Sequence, residues 1–185
     1  MPSRSLKWLA PLVALLAAAG CGQSHPPAPA PVPLALAPTG LLGNSLHLYQ
    51  NTARDTLAAF RQDPKDALIS DGKLWEIRRA DRLIGTLEIA TVKPDVNLSK
   101  NDVREQFTAP ILVGARSDIR VLGQEVNQVQ NEGGLSTFVW FGKGLFLVLQ
   151  AKDQVVTGPQ VAQAIIEYQQ SRTEWQPLPQ LYSPA

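Results

Sequence analysis

The chain has a single cysteine, Cys21, and two histidines, His25 and His47. One cysteine excludes an intramolecular disulfide, so core packing must hold the fold. The same scarcity excludes a histidine-rich zinc site and, with Cys21 the only thiol, a cysteine nucleophile. No serine lies in a G-x-S-x-G elbow. An excess of one charge is also missing, with seventeen Lys+Arg against sixteen Asp+Glu. That balance gives nucleic acid or polyanionic lipid little electrostatic hold, so neither is an expected partner. Beyond the first twenty residues no apolar run is long enough to cross a bilayer, because Gly142-Lys143-Gly144 interrupts the stretch 138–151.

The N-terminus does carry a pattern. Arg4 and Lys7 precede a short apolar run, residues 9–19, which ends in Ala18-Ala19-Gly20-Cys21. A positive n-region, a short h-region and small residues before a cleavage point are the parts of a secretory signal. With the cysteine at the junction, the segment resembles a bacterial lipoprotein signal peptide with its lipobox. The resemblance implies that residues 1–20 are removed and that Cys21 is diacylated as the first mature residue. The protein would then be held at the cell membrane, on the extracytoplasmic face, by a covalent lipid. The alternative is an ordinary secretory signal that leaves Cys21 as a free thiol. Setting aside Arg4 and Lys7 leaves fifteen basic against sixteen acidic residues, so the mature chain is near −1.

Residues 21–40 read as a tether. The stretch His25 to Pro38 alternates proline with alanine, valine and leucine, which favours an extended polyproline conformation. A PxxP-type ligand is the alternative. The globular domain is expected over 41–175, with a tail at 176–185. Thr52 and Asp55 predict a helix start, with Ala53, Leu57 and Phe60 on one face and Pro64 as the stop. Asp71-Gly72 reads as a turn, and strands are expected over 74–79 and 84–93. Ser99 with Asp102 reads as a capping box, and Leu98 with Val103 as a hydrophobic staple, so a second helix runs to Pro110. Three strands follow, over 119–130, 135–141 and 145–151. Thr157 with Gln160 opens a third helix, along which Val161, Ile165 and Tyr168 share a face. Trp175 is expected to pin the tail.

The expected fold class is therefore α+β, a single antiparallel sheet of about five strands with three helices packed on it. This element order resembles that of Mog1/PsbP-like domains, a small α+β class found in bacterial lipoproteins. No cofactor and no metal site is expected. His47, between Leu46 and Leu48, reads as a partly buried structural histidine. Glu76 and Glu88 can face each other across the first hairpin, but Arg78, Arg79 and Arg82 make that a surface charge ladder. Residues 95–102 lack the central glycine and terminal glutamate of a calcium loop. Gly142-Lys143-Gly144 sits between strands and is not a phosphate loop.

One pattern stands out. In residues 135–149 both strands are apolar on both faces, whereas a sheet with one wet face alternates. Either helices cover both sides, or Phe138, Trp140, Phe146 and Val148 line a groove for an apolar ligand or an envelope protein. The function expected is that of a non-catalytic, lipid-anchored binding or accessory protein of the cell envelope. An envelope hydrolase with an unrecognised carboxylate pair, or a structural envelope component, is the alternative.

Overall fold

The computed structural model describes residues 34–52, 68–131, 133–152 and 157–178. Eight antiparallel strands form one sheet: β1 (Gly40–Leu41), β2 (Leu46–Gln50), β3 (Ile69–Arg79), β4 (Arg82–Val92), β5 (Arg116–Val121), β6 (Gln124–Asn131), β7 (Leu135–Gly142) and β8 (Leu145–Lys152). Their order is β1-β2-β3-β4-β8-β7-β6-β5. The sheet is thus two four-stranded meanders side by side, joined where β4 pairs with β8. Helix α1 (Asn101–Thr108) lies in the crossover from β4 to the far edge strand β5, and α2 (Gly158–Gln170) follows β8.

These elements correct the expectation of about five strands and three helices. Three strands were hidden in the sequence. The stretch 119–130, expected as one strand, folds back on itself at Leu122-Gly123, where φ is 51° and 81°. Leucine rarely takes a left-handed conformation, so this turn carries no ordinary sequence signal. The other two hidden strands, β1 and β2, are joined by a turn through Leu42, Gly43 and Asn44, all at positive φ. Asp71-Gly72, expected as a turn, sits inside β3 beside a register shift in its pairing with β4. Among the described residues there are two α-helices and one 3-10 turn (Leu34–Leu36). The helix expected after Thr52 lies outside the described residues, as do the signal-like segment and most of the tether.

Both faces of the sheet are covered near its centre. On one face Phe138, Trp140, Leu147, Leu149, Leu87, Ile89, Ile77 and Trp75 pack under α2, which contributes Val161, Ala162, Ile165 and Ile166. On the other face Val139, Phe141, Phe146, Val148, Ala90 and Val92 pack under α1 through Phe107, with Leu98 and Leu112 flanking it. Phe146 is the hub of the second cluster, with ring centroids 5.0 Å from Phe107 and 5.5 Å from Phe141. A strand buried on both sides has no polar face to present, which is why β7 and β8 lack alternation.

The chain packs from before Leu41. Leu36 is fully buried and Ala37 nearly so. The carbonyl of Leu36 accepts a hydrogen bond from Gln169 Nε2 at 3.1 Å, and Gln169 Oε1 accepts one from Trp140 Nε1 at 3.0 Å. One buried amide thus ties the entry of the chain, the last helix and a central strand together. The capping expectations divide. At α2 the Thr157 N–H donates to Gln160 Oε1 at 3.2 Å, and a proline stands in the first turn. At α1 the N-cap is Lys100, one residue later than Ser99, and no side chain caps it. Asn97 Oδ1 takes the Ser99 N–H instead, at 2.9 Å. Trp175 is buried and packs against Gly142, where an added Cβ would stand 2.8 Å from its ring. Lys143 N–H donates to the Gln176 carbonyl at 2.8 Å, and Gly142 bridges to Pro177, so the tail is docked there.

Candidate functional site

The apolar groove expected from the sequence is not formed. Phe138, Trp140 and Phe146 are fully buried, and Val148 is 6% exposed. Register decides the matter: Trp140 stands opposite Leu147, and Val139 opposite Val148. Because side chains alternate along a strand, Phe138 and Trp140 face α2 while Phe146 and Val148 face α1. The four residues line opposite sides of the sheet, and each side is core.

The other sequence candidates are also placed. His47 is exposed on β2 and is not a buried structural histidine; its ring lies 6.4 Å from that of Tyr49. Glu76 stands opposite Thr86 and Glu88 opposite Leu74, so the two carboxylates are diagonal on one face. Glu76 accepts from Asn51 Nδ2 at 2.9 Å and is paired with Arg78 at 2.7 Å. Among the described residues no group of three or more His, Cys, Asp or Glu side chains is gathered to hold a metal ion. Cys21 lies outside the described residues. No helix among the described residues is long and apolar enough to cross a membrane.

Two adjoining hollows of about 340 and 390 Å³ share Arg104, Glu125 and Asn127. The larger lies between α1 and the β5–β6 hairpin and is polar, and the smaller runs from the Leu122-Gly123 turn past Phe141 to Pro177 and Leu178 of the tail. The origin of the larger is local. Alternation puts Arg116, Asp118 and Arg120 of β5 on the same face as Glu125 and Asn127 of β6. The crossover then lays α1 over that face, and α1 turns Arg104 and Glu105 towards the hairpin.

Arg104 is the pivot. Its side chain is 8% exposed, its Nε donates to the Leu98 carbonyl at 2.7 Å, and Nη1 meets Glu125 Oε2 at 3.3 Å. The guanidinium also sits 5.6 Å from the Phe141 ring centroid, joining the cleft floor to the aromatic core. Burial pulls the Arg104 pKa below the usual arginine value, and Glu125 opposes that shift. At the rim Arg116 pairs with Glu105. That hydrogen bond holds the Glu105 carboxyl below the ordinary glutamate range, with Thr108 adding a second bond. Asn127 Nδ2 donates to Asp118 Oδ1 at 2.6 Å.

The lining thus carries three guanidinium groups, Arg104, Arg116 and Arg120, against three carboxylates, Glu105, Asp118 and Glu125. Guanidinium forks offer planar, directed donors that suit carboxylate or phosphate oxygens, and the carboxylates offer acceptors for cationic groups. An even mix of this kind fits a polar partner bearing both signs, not a polyanion. Sequence reasoning missed this cleft because it missed the hairpin. The signal was there as charge on every second residue from Arg116 to Arg120, beside the Leu122-Gly123 pair.

Comparison with known protein families, with curated proteins and with solved structures finds no match to this chain.

Proposed function

We propose that this chain is a lipid-anchored, extracytoplasmic binding or accessory protein of the bacterial cell envelope, and that it works by contact, not catalysis. The observation that carries the reading is the Cys21 junction, a positive start, a short apolar run and Ala-Ala-Gly before the one cysteine. In this reading residues 1–20 are cleaved and Cys21 carries at least two acyl chains, which suffices for stable membrane anchoring. Residues 21–33, which lie outside the described residues, then connect the anchored Cys21 to a domain in which Leu36 is the first buried apolar residue described.

The binding surface in this proposal is the cleft around Arg104. Its pairs of opposite charge favour a polypeptide partner with mixed charge on its surface. Confinement to the membrane raises the effective concentration of that partner, so a modest contact suffices. The test combines two variants in cells. Cys21→Ser moves the protein out of the membrane fraction, and a photo-crosslinking residue at Asn127 yields an adduct that one at Tyr49, in β2 near the opposite edge of the sheet, does not. A Cys21→Ser protein that stays in the membrane fraction refutes the anchor, and identical adducts from positions 127 and 49 refute the cleft.

A further inference from the structure

Strand β5 is the outermost strand among the described residues on its side of the sheet. The two-residue turn Leu122-Gly123 closes the pair Val121 and Gln124. In such a hairpin the closing pair is hydrogen-bonded, so Val121, Ile119 and Ser117 turn their N–H and C=O groups to β6. The backbone groups of Arg116, Asp118 and Arg120 therefore point away from β6, along the edge. Proteins commonly guard such an edge with charge, because an unguarded edge accepts another strand. Here the guard is itself self-complementary. Its signs run plus, minus, plus at Arg116, Asp118 and Arg120, so a second β5 laid antiparallel and offset by two residues sets Asp118 against Arg120 in both directions.

We infer that β5 is an isologous interface at which a second copy of this chain adds to the sheet, with Asp118 of each copy opposite Arg120 of the other. Three consequences of this one register agree. First, Ile119 meets Ile119 of the second copy as a non-hydrogen-bonded pair, the closer of the two pair types. Ile119 and Val121 are half-buried against the α2-side core, so the strip they form continues across the junction. Second, Asp118 and Arg120 also line the cleft under α1. The pairing joins the two clefts into one symmetric trough, to which each copy contributes a charge at the boundary. Third, a twofold axis through such a pair is perpendicular to the sheet and keeps like faces on one side. Leu36, where the chain enters the domain, packs on the α2 side, so both copies receive their N-terminal segments from the same side. Two chains tethered to one membrane need that arrangement, although the interface itself does not depend on the anchor.

The register also specifies the test. Ile119 is the β5 residue that faces itself, whereas Ser117 faces Val121. In cells expressing the full chain with Cys21→Ser, Ile119→Cys supplies the only thiol. A membrane-permeant oxidant should convert most of that variant to a disulfide-linked dimer on a non-reducing gel. Ser117→Cys and Tyr49→Cys in the same background should remain monomers. Asp118→Arg or Arg120→Asp should each abolish the Ile119→Cys dimer, and the two together should restore it. The purified Cys21→Ser chain, with Ile119 intact, should show twice the monomer mass by light scattering. A monomer mass for that protein overturns the inference. So does crosslinking that is equal from positions 49 and 119 or indifferent to both charge changes.

Discussion

Replacing Gln169 with leucine tests the packing logic at its tightest point. Gln169 is fully buried, its Oε1 accepts from Trp140 Nε1 at 3.0 Å, and its Nε2 donates to the Leu36 carbonyl at 3.1 Å. Leucine fills nearly the same space and makes neither bond. Both orphaned groups stay away from water, since Trp140 and Leu36 are themselves fully buried. A buried polar group left without its partner costs about 1 to 3 kcal/mol. Two of them, partly offset by the more apolar side chain, put the loss at about 2 to 4 kcal/mol. Trp140→Phe alone leaves a cavity and an orphaned Gln169 oxygen. In the Gln169→Leu background it leaves only the cavity and removes the orphaned indole N–H. The double-mutant cycle should therefore show a coupling of about 1 kcal/mol or more. Urea denaturation of the four proteins, followed by far-UV circular dichroism, gives both numbers. A Gln169→Leu protein within about 0.5 kcal/mol of the parent, or strictly additive losses, would refute the reasoning.

Other outcomes follow from the same contacts. Trp140→Ala should cost about 3 to 5 kcal/mol in the same assay, as for a buried large aromatic in a packed core; a loss under about 1 kcal/mol would mean that the ring is not core. A chain starting at Thr39 should lose about 2 to 5 kcal/mol relative to one starting at Pro33, because Leu36 and its bond to Gln169 go with the truncation. Gly142→Ala should expel Trp175, since the new Cβ would lie 2.8 and 3.0 Å from ring atoms, and a red shift of tryptophan emission reads this. Glu105, whose carboxyl pKa is lowered by its bond to Arg116, contributes stability that is complete above its unfolded pKa of about 4.3. That contribution fades as pH falls through the lower folded value. Arg116→Ala should flatten this acid-side dependence by lowering stability slightly near neutral pH and leaving it unchanged in acid, and the loss should be small because the pair is largely exposed.

The sequence made the centre of the fold legible and left its edges dark. In β7 and β8 the absence of alternation pointed to strands covered on both sides or lining a groove. The structure settles it as cover, with Phe138 and Trp140 under α2 and Phe146 and Val148 under α1. The final helix was legible because Gln160 stands three residues after Thr157 and Val161 and Ile165 share a face. Trp175 was legible as the single tryptophan of the segment after the last helix. The edge hairpin was not, because its turn depends on Leu122 in a left-handed conformation that leucine seldom takes. Losing that turn merged β5 with β6, and the Arg104 cleft disappeared with them. Leu36 was hidden for another reason: it lies within a proline-rich run that reads as tether, and the partner of its carbonyl, Gln169, stands 133 positions later.

The most direct measurement is the intact mass of the mature protein isolated from its native membranes. Anchoring through Cys21 predicts a chain that begins at Cys21, carries the added mass of a diacylglyceryl group on that residue, and partitions with the membrane. A chain recovered in the soluble fraction with residues 1–20 still attached, or with an unmodified thiol at Cys21, would contradict it.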